Sequence, residues 1–457
     1  MFKNISRDKG FYRTLFVLSW PGILQNLLSN SLAFLDSLMV GSLGERYLSG
    51  ISLANTLFFV IALTLFGFQS GSAVLIAQYH GKKDEVAINR VLGIGFGLSF
   101  VFSATVALLL LLFPEQIYSL TTNDPELAGI AADFGRIASV SVVFNAMSSI
   151  YLSAQRSMEN PKLWMYVLGA SMTMKTLLNR VLIFGLFGLP GMGVRGAALA
   201  TLLARVFEFL ITFAYAAKFS RFRMKLAQMS HPGKYIFIDY LRFSLPVIIN
   251  EALWGLGSSL YTMIIGHLPN AVEALAAYSI NMNLLRVVES WFIGLCQGGA
   301  IIVGKELGGD RRDNALKAGY TLLAVTLCIG AAIGISIAAA GKSLLMPYVF
   351  PLFGASTATM NTGGRMLYIM AASVPFRALN CVCIVSLFRS GGDARAGMLI
   401  DLICVYFIAM PLALFTGFVL KTPAHIVYMM TCMEEFVKIA FVLWHFRKMT
   451  WLRNITR

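Results

Sequence analysis

Residues 19–55 read SWPGILQNLLSNSLAFLDSLMVGSLGERYLSGISLAN, and residues 244–281 read SLPVIINEALWGLGSSLYTMIIGHLPNAVEALAAYSIN. Each stretch begins with a serine, one further residue and a proline, then continues as a long apolar segment that passes a glycine and reaches an asparagine. The match extends to residues 71–82, GSAVLIAQYHGK, and 298–309, GGAIIVGKELGG. The second stretch begins 225 residues after the first. The chain therefore contains an internal repeat and has two related halves.

The composition is typical of a membrane protein. Hydrophobic residues make up 57% of the chain and charged residues only 13%, whereas about a quarter of the residues in a soluble domain are charged. A helix that crosses ~30 Å of hydrocarbon needs ~20 apolar residues, and about twelve segments of this chain are long enough. They lie near residues 14–40, 50–77, 90–113, 127–154, 162–187, 194–217, 240–268, 273–304, 314–341, 360–388, 396–420 and 423–446. The sequence predicts an all-α polytopic membrane protein without a soluble domain.

The repeat divides the predicted helices into two pseudo-symmetric bundles of six. We expect an N-lobe at residues 1–217, a cytoplasmic linker at 218–239 and a C-lobe at 240–457. Two related membrane bundles are typical of transporters in which one bundle rocks against the other around a central binding site.

The basic residues indicate the orientation of the chain. There are 37 Lys and Arg against 22 Asp and Glu, which gives a formal net charge of +15. With the N-terminus inside, about 25 of the basic residues fall on the cytoplasmic side and only about four on the other side, in accord with the positive-inside rule. We therefore expect a multi-pass protein of the inner (cytoplasmic) membrane of the cell, with both termini in the cytoplasm. The basic charge requires no nucleic-acid partner.

The first apolar segment predicts a retained helix rather than a cleaved signal sequence, because it contains Asp36 and is followed by further spans. All six cysteines fall in predicted helices of the second half. Their positions are typical of small packing residues, so we predict no disulfide, metal site or cofactor.

Several motifs together resemble the multidrug and toxic compound extrusion (MATE) family over essentially the whole chain. The matching pieces are Pro21, Asp36-Ser-Leu-Met-Val-Gly41-Ser-Leu-Gly44, Leu53-Ala54-Asn55, residues 71–81, Leu182-Ile-Phe-Gly185 and Pro190-Gly-Met-Gly-Val-Arg-Gly196-Ala-Ala-Leu-Ala-Thr201. The resemblance implies a secondary antiporter whose two lobes open alternately to each side of the membrane. It also implies export of organic compounds, cationic or amphipathic in type, in exchange for entering protons or, as the alternative, sodium ions.

An ionisable group inside a membrane costs about 2.5–3.5 kcal/mol or more, so each one is a functional candidate. The resemblance makes Asp36 on predicted helix one the cation-coupling carboxylate. Lys175 and Asn179, four residues apart on one face of predicted helix five, occupy positions where relatives carry oxygen-bearing side chains. We expect an Asp36–Lys175 ion pair and coupling to H⁺, with Thr201 as a polar neighbour. The alternative is that Lys175 reaches elsewhere.

A second set of charges lies in the C-lobe: Glu251, Arg286, Glu289, Arg377 and Asp401. Two interpretations stay open. The charges neutralise one another, for instance Glu251 with Arg286 or Arg377, and hold the lobe together. Alternatively they handle substrate or protons. Apolar candidates for lining a binding cleft are Trp254, Tyr261, Met263, Met282, Phe34 and Met39.

Pro21 and Pro246 each remove a backbone hydrogen bond from a predicted helix, so we expect a kink at both positions. Asp36 follows Pro21 by 15 residues on the same helix. We therefore predict hinges at the two prolines, with protonation of Asp36 changing the bend of helix one. Static curvature is the alternative.

Other functions receive less support from the sequence. Within transport, the alternative is an exporter of lipid-linked precursors or anionic metabolites from the same superfamily. A membrane-embedded enzyme is a remote alternative, because the sequence has no His-Glu-x-x-His motif, phosphate loop or serine elbow. We predict a monomeric transporter, not an enzyme, whose partners are a small-molecule substrate and the lipid bilayer.

Overall fold

The fold is built from long helices, seen in a computed structural model that describes residues 8–456 apart from 42, 44, 121, 123, 187, 189, 221, 354 and 355. The long helices of the described residues are α1 (Lys9–Gly41), α2 (Glu45–Lys82), α3 (Glu85–Leu112), α4 (Pro125–Ser157), α5 (Pro161–Phe184), α6 (Gly193–Lys218), α7 (Lys234–Gly266), α8 (Ala271–Gly308), α9 (Arg312–Leu352), α10 (Thr357–Phe388), α11 (Ala394–Val419) and α12 (Ala424–Arg447). No strand occurs among these residues. The predicted all-α fold with two sets of six helices is confirmed.

The helices are suited to a membrane. In the described part of the chain, nine of them, α2–α6 and α8–α11, are long and apolar enough to cross a bilayer. Apolar side chains also face outward: Val101, Leu108 and Leu112 of α3 are 63%, 56% and 58% exposed. A soluble protein rarely exposes such a continuous apolar face, whereas lipid accepts it without cost.

The helices form two compact units whose borders lie inside α1 and α7. The N-terminal unit contains Leu24–Ile248, and the C-terminal unit contains the chain up to Ile23 and from Ile249 onward. Each border lies just beyond a helix proline, Pro21 or Pro246. The first part of α1 therefore belongs with the C-terminal helices, and the first part of α7 with the N-terminal ones. These borders differ from the lobe limits that the repeat alone predicts.

Glycines explain why the start of α7 packs within the N-terminal unit. A Cβ atom on Gly71 of α2 would meet the Cα atom of Ser244 at 2.8 Å, and one on Gly67 would meet the Cα atom of Ile248 at 2.8 Å. Real Cβ atoms do not approach a backbone this closely. Small residues of this kind bring helix backbones together in lipid, where packing drives association.

The same arrangement recurs in the C-terminal unit. Here a Cβ atom on Gly298 of α8 would lie 3.1 Å from the backbone nitrogen of Ser19, and one on Gly294 would lie 2.7 Å from that of Ile23. The serine of each Ser-x-Pro motif thus lies against a glycine. The repeat seen in the sequence therefore specifies two equivalent helix contacts.

The interior of the N-terminal unit is built around α4. This helix packs against α2, α3 and α6. It buries small residues such as Ala131, Ala138 and Ala146, and most of its buried serines donate to carbonyl groups one turn earlier, as Ser148 does to Phe144 at 2.9 Å. Most of these hydroxyl groups are in this way satisfied within their own helix, whereas Ser153 donates to the Gln69 carbonyl of α2.

The C-terminal unit centres on α10, which packs against α8, α9 and α12. Its largest apolar cluster includes Phe388 and Phe446, and Trp451, which follows α12, packs in the same cluster. Trp451 is fully buried, stacks on Phe446 at a ring distance of 5.3 Å and donates its indole N–H to the Phe446 carbonyl.

The polar stretch 218–239 is only partly a linker. A short helix, Leu226–Met229, packs against α3, and α7 already begins at Lys234. The Lys225 backbone N–H donates to Asn89 Oδ1 at 3.0 Å. This part of the predicted linker is therefore anchored on the N-terminal unit.

Adding a methyl group at Gly71 or Gly298 should destabilise the protein. We expect Gly71→Ala and Gly298→Ala to lower the free energy of unfolding by about 1–3 kcal/mol, because the new Cβ atom forces two backbones apart. The matched control is Gly97→Ala on α3, where a Cβ atom meets nothing within 4 Å. Thermal unfolding in detergent measures all three. Equal stability of Gly71→Ala and Gly97→Ala would contradict the packing argument.

Candidate functional site

The carboxylate of Asp36 on α1 is held by two side chains of α5. Lys175 Nζ lies 2.5 Å from Asp36 Oδ2, and the Asn179 amide donates to Asp36 Oδ1 at 2.9 Å. Lys175 and Asn179 are four residues apart, so one helical turn places both on the same face of α5. The contact that the sequence predicts between Asp36 and Lys175 is present. Its role in coupling stays a prediction.

Both oxygens of Asp36 have a donor, so its ionised form is satisfied. The Asp36 and Lys175 side chains keep 23% and 29% of their surface exposed, whereas Asn179 is buried. The Asp36–Lys175 ion pair is therefore only partly shielded from solvent. A proton added to Asp36 would remove the charge that attracts Lys175, which gives this group two chemically distinct states.

Two other polar groups of the N-terminal unit make their contacts within helix α6. The Thr201 hydroxyl donates to the Ala197 carbonyl of its own helix at 3.0 Å, so hydrogen bonds join three of the four predicted residues of this site. On the same helix, Arg205 Nη1 lies 2.6 Å from the buried Glu208 carboxylate. The sequence analysis missed this pair, although two opposite charges three residues apart in an apolar span were a signal for it.

Glu251 of α7 pairs with Arg389 at the C-terminal end of α10. Arg389 Nη2 lies 2.7 Å from Glu251 Oε1, and only 4% of the Arg389 side chain is exposed. The expected pairing of Glu251 with Arg286 or Arg377 is therefore wrong, because its partner is Arg389. The sequence analysis did not name Arg389 as a partner, since it follows the predicted span 360–388 directly; it is buried and neutralises Glu251.

Arg377 of α10 bridges two other helices. Its Nη1 donates to Glu289 of α8 at 3.1 Å, and its Nε lies 3.6 Å from a carboxylate oxygen of Glu435 of α12. The Asn380 amide also donates to Glu435 at 2.8 Å. Arg286, by contrast, has an exposed side chain.

Asp401 of α11 completes the predicted C-terminal set. Its Oδ1 lies 2.6 Å from Lys438 Nζ of α12, and its Oδ2 accepts from the Asn250 amide of α7 at 3.2 Å. All five predicted C-terminal residues are therefore located, and four of them take part in buried ion pairs. Neutralisation, one of the two interpretations left open, is observed; a role in handling protons or substrate stays a prediction.

Helix α12 supplies three ionisable residues that the sequence analysis missed: Glu434, Glu435 and Lys438. The Tyr261 hydroxyl of α7 donates to Glu434 Oε2 at 2.9 Å. All three side chains are buried. Three charges within five residues of a predicted span were the signal that could have found them.

A small cavity lies inside the C-terminal unit. Its volume is about 40 Å³. Its lining includes Trp254, Tyr261 and Met282, which the sequence analysis named as lining candidates, together with Arg377 and Glu434. Met263 is exposed, and the side chain of Phe34 lies outside the described residues.

The family model MatE matches residues 21–181 and 246–415 of this chain. Both matched ranges begin at a repeat proline, so each half of the chain corresponds to one stretch of the family pattern. Together with the fold, this match shows the class of protein: a multi-pass membrane transporter rather than an enzyme. The chain belongs to the MatE family.

Curated relatives of known sequence agree with this assignment. The chain is 23% identical to the uncharacterized transporter YisQ of Bacillus subtilis (strain 168), over 99% of this chain and 98% of that protein. It is 24% identical to the probable multidrug resistance protein YoeA of the same strain, over 88% of this chain and 86% of that protein.

Solved structures show the same fold. A MOP superfamily transporter from Pyrococcus furiosus matches with a TM-score of 0.87 and 16% identity, covering 98% of this chain and 99% of that one. The eukaryotic MATE transporter AtDTX14 matches with a TM-score of 0.83 and 20% identity, covering 98% of both chains. At these identities the likeness establishes the fold alone.

Breaking the Glu251–Arg389 pair should be costly. Glu251→Gln leaves Arg389 buried without its counter-charge, so we expect the free energy of unfolding to fall by about 3–5 kcal/mol. Replacing both residues by Gln should restore most of that loss. The control is Arg195→Gln, which breaks the exposed Arg195–Asp133 pair and should cost less than about 1 kcal/mol. Denaturant unfolding distinguishes the cases, and similar losses for Glu251→Gln and Arg195→Gln would refute the buried pair.

Proposed function

We propose that this transporter exports organic compounds, cationic or amphipathic in type, in exchange for protons. Asp36 is the proton-binding group of the N-terminal unit. The observation that carries the proposal is one partly exposed carboxylate, held by Lys175 and Asn179 inside a membrane transporter of the MatE family.

The ion pair gives exchange a simple physical basis. A proton on Asp36 cancels the charge that holds Lys175, and a cationic substrate beside Asp36 takes the electrostatic place of Lys175. Proton and substrate therefore compete for one carboxylate, and each promotes release of the other. When both have left, Lys175 returns, and the carboxylate does not remain unpaired in a medium where a lone charge is costly.

Lys175 also supports coupling to H⁺ rather than Na⁺. Two like charges 4 Å apart repel by about 4 kcal/mol at an effective dielectric constant of ~20. A sodium ion at Asp36 would meet this repulsion from an ammonium group 2.5 Å from the same carboxylate. A proton avoids it, because it neutralises Asp36 without adding a separate positive charge.

The C-terminal charges give no specific support to an anionic metabolite or a lipid-linked precursor. The described set contains Glu251, Glu289, Asp401, Glu434 and Glu435 against Arg286, Arg377, Arg389 and Lys438. A pyrophosphate or another anion would meet no excess of cations there. The similarity to YoeA, a probable multidrug resistance protein of Bacillus subtilis, supports the proposed class of organic substrates.

The remaining features of the proposal concern topology and motion. The excess of Lys and Arg on one side supports cytoplasmic termini in the inner membrane. Access alternates between the two sides of the membrane, and Pro21 and Pro246 act as hinges, which their positions beside the unit borders support. The working unit is a monomer.

Asp36→Asn should abolish proton-driven export, because an amide cannot take up and release the proton. Accumulation of a fluorescent cation in everted vesicles under an imposed pH gradient should fall to the level of vesicles without the protein. The matched control is Asp133→Asn, which alters an exposed aspartate of α4 and should leave transport unchanged. Wild-type accumulation by Asp36→Asn would rule out this carboxylate as the coupling site.

Lys175→Ala should make the site sensitive to sodium, because it removes the competing ammonium group. We expect added Na⁺ to inhibit proton-driven transport by Lys175→Ala while wild type is unaffected. Lys175→Arg keeps the charge and serves as the control, so it should remain insensitive to Na⁺. The pair has no mechanistic part if Lys175→Ala matches wild type both in rate and in its response to Na⁺.

A further inference from the structure

Glu434 differs from the other buried carboxylates of the C-terminal unit. Glu251, Glu289, Asp401 and Glu435 each have an Arg or Lys nitrogen within 4.0 Å. Among the described residues, Glu434 has no such partner and accepts instead from the neutral hydroxyl of Tyr261. It is nevertheless buried as deeply as Glu435, with 4% of its surface exposed against 5%.

The nearby cations are already engaged. Arg377 and Lys438 both act electrostatically on Glu434. Arg377 faces Glu289 of α8 and Glu435 of α12, and Lys438 faces Asp401 of α11. Three carboxylates therefore share two cations before Glu434 is counted. An ionised Glu434 would add a further negative charge that no cation of the described part of the chain pairs with.

A bound proton removes this imbalance. An unpaired charge buried away from water costs several kcal/mol, whereas a neutral carboxyl group with hydrogen-bond partners costs far less. A protonated carboxyl group can donate one hydrogen bond and still accept others, so it keeps the Tyr261 contact. Burial, charge balance and the choice of partner all favour the neutral form.

The cavity can hold water that exchanges a proton with Glu434. Glu434 and Arg377 both line it, together with the polar residues Ser258 and Thr431. A water molecule needs a cavity of about 10–15 Å³ and two or more polar partners. The volume of about 40 Å³ and the polar part of the lining meet both conditions. Water in this cavity can accept the proton from Glu434 and return it.

We propose that Glu434 is a second proton-binding site, which holds its proton at neutral pH while the adjacent Glu435 stays ionised. Release of that proton to water in the cavity leaves a carboxylate that attracts Lys438 and Arg377. Both cations link α12 to neighbouring helices, Lys438 to α11 and Arg377 to α8. Loss of the proton thus weakens existing links, and Tyr261 is a positioning residue that holds the carboxyl group at the cavity.

That Glu434 binds a proton at neutral pH does not depend on the proposed antiport. Its role as a second proton carrier does rest on that proposed function. If Asp36→Asn kept full proton-driven transport, the assignment of coupling to Asp36 would fail while the proton on Glu434 could still be observed. The first experiment therefore detects the proton on Glu434, and transport is measured afterwards.

Infrared difference spectroscopy of the purified full-length protein in lipid nanodiscs detects the C=O stretch of protonated carboxyl groups. At neutral pH we expect wild type to show a protonated-carboxyl band that Glu434→Gln lacks. The matched control, Glu435→Gln, changes the neighbouring carboxylate that contacts Arg377 and Asn380, and should retain the band. A spectrum unaltered by Glu434→Gln, or a band lost in both variants, would overturn the proposal.

Stability provides a second readout. Gln resembles a protonated Glu in shape and charge, so Glu434→Gln should unfold at the wild-type temperature at neutral pH. Glu435→Gln should unfold at a lower temperature, because it removes a charge that Arg377 needs. A loss of stability in Glu434→Gln as large as that in Glu435→Gln, or failure to fold, would mean that Glu434 is ionised in wild type.

Transport then tests the role of the site. In proteoliposomes, Glu434→Gln should halve the number of protons exchanged for each substrate molecule, while Glu435→Gln should keep the wild-type ratio in the protein that folds. An unchanged ratio in Glu434→Gln would overturn the role of Glu434 as a second carrier.

Discussion

A charge in hydrocarbon must find its counter-charge inside the protein, and this requirement organises the interior of the transporter. Ion pairs join α1 to α5, α7 to α10, α8 to α10 and α11 to α12, and all but the first are largely shielded from solvent. Such pairs add little net stability, but removing one partner is costly, so they hold particular helices together. The two carboxyl groups to which we assign protons are the ones with unusual partners: Asp36 is paired but partly exposed, and Glu434 is buried without a cation.

Close helix packing complements these pairs. The prolines of the two Ser-x-Pro motifs lie next to the unit borders, and the serines lie against glycines of α2 and α8. The first part of α1 is therefore held by the helices of the C-terminal unit, while the part that carries Asp36 belongs to the N-terminal unit. The two parts of α1 thus belong to different units, which is the arrangement that the proposed hinge at Pro21 requires.

Much of the fold could be predicted from the sequence, because hydropathy and the repeat are properties of the chain itself. The same holds for Asp36, Lys175 and Asn179, whose spacing on α5 and family resemblance indicate one site. The partner of Glu251 could not be predicted, because spacing along a helix shows which residues share a face but not which helix that face meets. Arg389 was not considered as that partner because it lies just beyond the predicted span 360–388, and the charges of α12 were not named because they fall in a predicted span, 423–446, that otherwise has the usual hydropathy.

The most direct test of the account uses the wild-type protein and separates the two possible coupling ions. Proteoliposomes loaded with a fluorescent cation are given either a pH gradient in sodium-free buffer or a sodium gradient with equal pH on both sides. The Asp36–Lys175 pair predicts transport under the pH gradient alone and none under the sodium gradient. Transport driven by sodium at equal pH would contradict the central claim that Lys175 reserves Asp36 for protons.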